Sequence, residues 1–288
     1  MSLSTASITF VGAGSMAEAI VRGLASQKDS DASRITVINR QDTARLIALQ
    51  ESYGVSYAAD TASKNRAISE ADIVVVAFKP KDAIEGLRSL ASLLKPSQLL
   101  VSVIAGLSMA TMETILGTSG QPIARTMPNT SSSIGLGATG ISFSSSVSTE
   151  QQQLAIDMFA STGIVSVVEE AKLDIVTGVS GSGPAYIYYM MEAMIEGGIQ
   201  GGLSPEAAKE LTVQTVLGAA RMVQLTGENP AELRRKVTSP NGTTQAALET
   251  MDAHQFSTGV TKAVLRCAER AGELGNAISS QAAAVETK

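Results

Sequence analysis

The sequence predicts an α/β protein in which a parallel-sheet domain, residues 1–170, precedes an all-helical domain, residues 171–288. Three observations predict it. Short apolar runs alternate with helical segments through the first half, as in a doubly wound parallel sheet. A glycine-rich turn separates the first such run from the first helix. From about Ala171 the strand signals stop and helical periodicity takes over. The length of 288 residues suffices for two ordinary domains, at about 100–200 residues each.

Ser7–Val11 (SITFV) is a β-branched and aromatic run, and the pattern Gly12-x-Gly14-x-x-Ala17 follows at once. Ser15–Ala25 then reads as a helix, with Met16, Ala19, Ile20 and Leu24 at helical spacing. Gly12 and Gly14 let the backbone turn tightly and admit a pyrophosphate against the helix N-terminus, while Ala17 lets helix and strand pack closely. A purely structural glycine turn is the alternative. The strand-turn-helix setting favours a Rossmann-type dinucleotide site made by Gly12, Ala13, Gly14, Ser15, Met16 and Ala17.

The next strand, Arg34–Ile38, ends in Asn39-Arg40. NAD sites usually carry an acid there, about 20 residues past the glycines. A guanidinium suits a 2′-phosphate instead, so NADPH is expected, with NADH possible. In the other reading Arg40 is a solvated loop residue and Asp42 plays the acid.

Ala71–Phe78 (ADIVVVAF) and Gln98–Ile104 (QLLVSVI) are continuous apolar strands of the buried parallel kind, and Pro122–Thr126 is a further strand. Asp82–Leu94 and Ser108–Leu116 read as the helices between them. Ligands of such a sheet lie at the carboxyl ends of its strands. Candidate cofactor-lining segments are therefore Ala77, Phe78, Lys79 and Pro80 after one strand and Val103, Ile104 and Ala105 after the next. Met127-Pro128-Asn129-Thr130 follows the third. One strand, Ala138–Phe143, lies in the Ser- and Gly-rich stretch, and a helix, Glu150–Ser161, with a strand, Ile164–Val168, completes the domain.

In the second half, Ser180-Gly181-Ser182-Gly183-Pro184 lacks the preceding strand and the Lys-Ser/Thr pair of a P-loop, so close helix packing is its expected role. A helix over Ala185–Ile199 ends at Gly201-Gly202, and Ser204-Pro205 caps the next. Glu206–Leu225 is apolar on nearly all sides, with Leu211, Val216, Leu217 and Met222 among its residues. A helix of that kind is buried. In so small a domain this implies burial against a second copy of the chain, hence an all-helical dimerisation domain. A short helix over Ala231–Val237 and a last one over Gln255–Leu274 are expected, with residues 279–288 frayed.

Between those two helices lies SPNGTTQAALE, Ser239–Glu249. Pro followed by Asn-Gly makes a tight turn, and the threonines open an Ala- and Leu-rich helix. Such a turn aims backbone N–H groups and a hydroxyl into one small volume where an anion is favoured.

Composition narrows the function. A net charge of −5 argues against nucleic acid as partner. One cysteine, Cys267, excludes an internal disulfide or a cysteine-rich metal site, and the sole histidine, His254, builds no His cluster. Cys267 is expected to be buried and inert, and His254 to be a capping or solvent-facing residue. No apolar run reaches the ~18 residues of a membrane helix, and MSLSTAS lacks the form of a signal peptide, so a cytoplasmic protein is expected.

Across nearly its whole length the chain resembles the pyrroline-5-carboxylate reductases. The segments GAGSMAEAI, AFKP, SVIAGL, RTMPNT, VTGVSGSGPAYIYYMMEAMIEGG and SPNGTTQAALETM carry the resemblance. It implies a Rossmann domain, a helical dimerisation domain often assembled into a decamer, and reduction of the C=N bond of 1-pyrroline-5-carboxylate to L-proline by NAD(P)H. Residue by residue, it implies that Gly12 to Ala17 form the pyrophosphate loop and that Asn39 sits beside the ribose phosphate. Ala77 to Pro80 and Val103 to Ala105 then line ribose and nicotinamide, and Asn65 contacts the cofactor ribose. The Thr244 hydroxyl would face the imine nitrogen. Backbone N–H groups from Gly242 to Thr244 would hold the substrate carboxylate, in a turn comprising Ser239, Asn241, Gly242, Thr243 and Thr244.

The family turn is usually SPGG, and Asn241 replaces its first glycine; Ser131 stands where MPNTP has proline. Other readings are a related imino-acid reductase, a non-catalytic NADP-binding paralogue or a β-hydroxyacid-dehydrogenase-like enzyme. The last needs a catalytic lysine, for which Lys172 and Lys209 are the choices.

Overall fold

The apolar runs of the first half become strands of one eight-stranded sheet in the computed structural model, which describes residues 2–28 and 30–286. In chain order the sheet region contains β1 (Ile8–Val11), α1 (Ser15–Ala25), β2 (Ile35–Ile38), α2 (Thr43–Tyr53), β3 (Ser56–Ala58), α3 (Thr61–Glu70) and β4 (Ile73–Val76). It continues with α4 (Ala83–Leu90), β5 (Leu99–Ser102), α5 (Met109–Leu116), β6 (Ile123–Met127), β7 (Gly137–Phe143), α6 (Thr149–Ala160) and β8 (Gly163–Val167).

The strand order is β3-β2-β1-β4-β5-β6-β7-β8, and only β6 and β7 pair antiparallel. The chain winds outward from β1 through β2 and β3, then returns to β4 on the other side. That reversal between β1 and β4 opens a crevice at their carboxyl ends, where such sheets bind ligands.

Successive strand residues face opposite sides. Val75 joins Phe10, Ile20, Leu46 and Phe159 in one core, while Val74 and Val76 join Leu87, Leu100 and Met112 in the other. Burial on both faces is why β4 is apolar throughout. The expected helix over Asp82–Leu94 stops at Leu90, and α2, β3 and α3 carry no strong apolar signal of their own.

The chain divides into two compact units, Met1–Ser182 with Arg266–Lys288, and Gly183–Leu265. This differs from the expected boundary at residue 170. After β8 the chain forms α7 (Leu173–Val176) and a π-helical turn, Thr177–Gly181, which pack back on the sheet. A β-carbon on Gly140 of β7 would stand 2.7 Å from Val176, and one on Gly181 would stand 2.5 Å from the Met127 methyl. Close packing is thus the role of Gly181, whereas a β-carbon on Gly183 would meet nothing within 4 Å.

The last helix, α12 (Phe256–Glu286), returns to the sheet unit. Ile278 and Ala282 enter its second core, so the expected fraying is corrected through Glu286; residues 287 and 288 lie outside the described residues. Gly106 and Gly275 meet backbone to backbone, so closely that a β-carbon on Gly275 would collide with the Gly106 carbonyl oxygen. Cys267 is half-buried rather than fully buried, its thiol donating to the Ser182 hydroxyl at 3.2 Å.

The second unit contains α8 (Gly183–Gln200), α9 (Pro205–Thr226), α10 (Pro230–Lys236), α11 (Thr243–Ala253) and the start of α12. The Ser204 hydroxyl caps α9 by accepting from the Ala207 N–H, with Pro205 in the first turn. Of α9 the single chain buries only Ala208 and Thr212. Leu211, Leu217, Met222 and Leu225 stay 48–74% exposed. Exposure of so many large apolar groups marks an interaction surface. Among the described residues no helix is long and apolar enough to cross a membrane.

Candidate active site

At the carboxyl edge of the sheet, Gly12 takes φ +113° and its N–H donates to the Ile38 carbonyl at 2.9 Å. A β-carbon there would stand 2.6 Å from the Ala77 carbonyl oxygen, so only glycine lets β1 and β4 end side by side. Gly14 is the N-cap of α1, exposed, and a β-carbon on it would meet nothing within 4 Å. No side chain caps this helix. Open space before an uncapped helix N-terminus fits a pyrophosphate. Ser15 is exposed, Met16 half-buried and Ala17 fully buried against the core, as close packing of strand and helix requires.

A network missed from the sequence holds this loop from behind. Arg45 of α2 donates through Nε to the Ala13 carbonyl at 3.1 Å and through a terminal nitrogen to Glu18 Oε2 at 2.5 Å. The Tyr53 hydroxyl donates to the other Glu18 oxygen at 3.1 Å. Arg45's hydrogen bond, aided by Tyr53, holds the Glu18 carboxyl below its ordinary range despite some opposing desolvation. Desolvation, then the Glu18 carboxylate, raises the Tyr53 hydroxyl. The one sequence sign was Asp42 three residues before Arg45, a helix-capping spacing.

Asp42 in fact caps α2, its carboxylate accepting from the Arg45 N–H at 2.9 Å. That assignment weakens the reading of Asp42 as a ribose-binding acid. Asn39 donates to the Asp42 carbonyl at 2.7 Å, and Lys64 of α3 to the Arg40 carbonyl at 3.3 Å. Arg40 itself is exposed, 3.4 Å from Asp82 and 3.5 Å from Glu85. Exposed pairs of this kind are weak, so a phosphate can compete for the guanidinium. Asn65, next to Lys64, is exposed on α3.

Beyond β4, the Ala77 N–H donates to the Val11 carbonyl, and the Phe78 ring lies over Gly86 of α4. Lys79 and Pro80 are exposed. Beyond β5, Val103 and Ala105 are half-buried, whereas the Ile104 side chain belongs to the core and only its backbone faces this edge. Asn129 ties Ser180 to Ala138, donating to the first at 3.0 Å and accepting from the second at 3.1 Å. The glycine loop and the ends of β2, β4 and β5 thus share one edge.

The substrate-turn candidates lie in the other unit. Asn241 occupies the left-handed region at φ 56°, so the turn forms with asparagine in place of glycine. The Gly242 N–H donates to the Ser239 carbonyl at 3.0 Å, closing the turn. Gly242 is the N-cap of α11, no side chain caps that helix, and the N–H groups of Thr243 and Thr244 open its first turn. Thr244 is half-buried. His254 caps the far end of α11 and is exposed. Among the described residues no cluster of His, Cys, Asp or Glu is arranged to hold a metal.

Residues 170–274 match the family described as "Pyrroline-5-carboxylate reductase dimerisation", and residues 7–106 match "NADP oxidoreductase coenzyme F420-dependent". Pyrroline-5-carboxylate reductase 1 of Bacillus subtilis is 39% identical over 96% of this chain and 92% of its own length. The chain belongs to the pyrroline-5-carboxylate reductase family. The Pseudomonas aeruginosa reductase is 40% identical over 94% of the chain and 98% of its own length. Among solved structures, a Coxiella burnetii pyrroline-5-carboxylate reductase is similar with a TM-score of 0.86, at 38% identity over 94% of this chain and 98% of that one. The Plasmodium falciparum pyrroline carboxylate reductase with NADP bound has a TM-score of 0.83, at 28% identity over 95% and 99%. The match to a dimerisation family over residues 170–274 supports self-association of the chain.

Proposed function

We propose that this chain reduces 1-pyrroline-5-carboxylate to L-proline, the last step of proline biosynthesis, with NADPH as hydride donor. The observation that carries the reading is whole-length membership of a reductase family by a chain with both an open glycine loop and an intact SPNGTT turn. Bound on the Gly12–Ala17 loop, a reduced nicotinamide supplies the hydride.

The chain's own residues then do three things. Gly12, Gly14 and the N-terminus of α1 hold the pyrophosphate, with Arg40 and Asn39 at the ribose phosphate and Asn65 at the ribose. Ala77 to Pro80 and Val103 to Ala105 border ribose and nicotinamide. The Thr243 and Thr244 N–H groups hold the substrate carboxylate at the uncapped N-terminus of α11, and the Thr244 hydroxyl orients the imine nitrogen.

Hydride forms the new C–H bond at the imine carbon while the C=N π electrons pass to nitrogen. When the imine arrives already protonated, nitrogen needs no further proton and no strong acid is required. The site offers none: His254 is a distant helix cap and Cys267 is paired with Ser182. Positioning then carries the rate, and it can contribute about 7–11 kcal/mol.

A left-handed Asn241 speaks against a non-catalytic paralogue, because the turn keeps its form. The reaction belongs in the cytoplasm, in a dimer built through α8 and α9 and assembled further into a decamer. NADPH absorbance followed on addition of 1-pyrroline-5-carboxylate, with L-proline quantified, tests the proposal. Loss of NADPH matched by proline supports it, and neither change refutes it.

A further inference from the structure

We propose that Gln245 is a positioning residue that locks the substrate turn by holding Asn241 in its left-handed conformation. Asn241 and Gln255 are the positive-φ non-glycine residues among the described residues, and Asn241 sits in the proposed substrate turn itself. Asparagine tolerates that region but prefers others, so something must select it. The Gln245 carboxamide oxygen accepts from the Asn241 N–H at 2.8 Å, and its amide nitrogen donates to Glu249 Oε1 at 2.7 Å.

An ionised carboxylate only accepts, so Glu249 fixes which end of the carboxamide faces Asn241. The arrangement is a capping box moved one residue outward. The third helical residue reaches past the Gly242 N-cap, whose own N–H is already taken by Ser239. Two consecutive N–H groups are thereby turned inward, and the first ones left for a ligand belong to Thr243 and Thr244. Where glycine stands at position 241 no such lock is needed, since glycine reaches positive φ without strain.

The inference rests on the proposed reading of this turn as the substrate site, and two measurements separate the two. In Gln245→Leu, KM for 1-pyrroline-5-carboxylate rises about five-fold, as for the loss of one net hydrogen bond, while KM for NADPH is unchanged. Adding Asn241→Gly to that variant restores the wild-type KM, which a merely structural role for Gln245 does not allow. An unchanged KM in Gln245→Leu, or no rescue in the double variant, overturns the proposal. Hydrogen exchange at the Asn241 amide reads the same contact without turnover. It is slow in the wild type and fast in Gln245→Leu, and equal rates overturn the lock whatever the enzyme reduces.

Discussion

A β-carbon on Gly12 would stand 2.6 Å from the Ala77 carbonyl oxygen, and φ at Gly12 is +113°. Gly12→Ala therefore pushes β1 and β4 apart where the crevice opens. The variant is expected to weaken NADPH binding more than about ten-fold, which corresponds to 1.4 kcal/mol. Fluorescence titration of NADPH measures it. Gly14→Ala has open space around its β-carbon, so its fold is undisturbed and any loss is confined to the cofactor.

The Arg45–Glu18–Tyr53 network predicts a pH dependence. Arg45 holds the Glu18 carboxyl below the usual carboxylate range in the folded state. A depressed folded value means that the ionised carboxylate stabilises the fold above the unfolded pKa. The contribution is lost as pH falls through the lower folded value. Wild type should therefore exceed Glu18→Gln in Tm at neutral pH, with the gap closing as pH falls below the ordinary carboxylate pKa. A gap independent of pH would remove Glu18 ionisation from loop stability.

Thr244→Ala should lower kcat about a hundred-fold, as for removal of one transition-state hydrogen bond, while KM for NADPH stays near wild type. Thr244→Ser retains the hydroxyl and should retain most activity. Steady-state kinetics of the two variants together decide whether the hydroxyl or the backbone alone acts.

Leu217 is 48% exposed on α9 in the single chain. Leu217→Glu places a charge in the proposed α8–α9 dimer seam, where an unpaired buried charge costs several kcal/mol. Light scattering at micromolar concentration should show a dimer or larger assembly for the wild type and a shift toward monomer for the variant.

Much of this was legible in the sequence because both-face burial leaves an unbroken apolar signature. ADIVVVAF could hardly be anything other than a central strand, and Ser204-Pro205 announces the start of α9. Shorter elements at the sheet edge were silent. β3 has only three residues, and α3 buries Ile68 alone, so neither carries enough periodicity to be seen. The C-terminal tail misled for a different reason. SSQAAAVE reads as a fraying tail, yet small residues such as Ala282 are what close packing on a sheet face uses.

At the site, glycines were readable because their need for space or positive φ is a property of the residue. Arg45 and Gln245 were not. Each acts through a hydrogen bond to a backbone group whose position only the folded turn defines. The Gly242 N–H bond to the Ser239 carbonyl was equally invisible, since only the folded turn brings the two together.

The most direct test of the account follows the hydride itself. NADPH dideuterated at the nicotinamide C4 is incubated with the protein and 1-pyrroline-5-carboxylate, and the proline formed is weighed by mass spectrometry. The account predicts L-proline heavier by a single deuterium on the former imine carbon. Unlabelled proline, or consumption of NADPH without any proline, would contradict it.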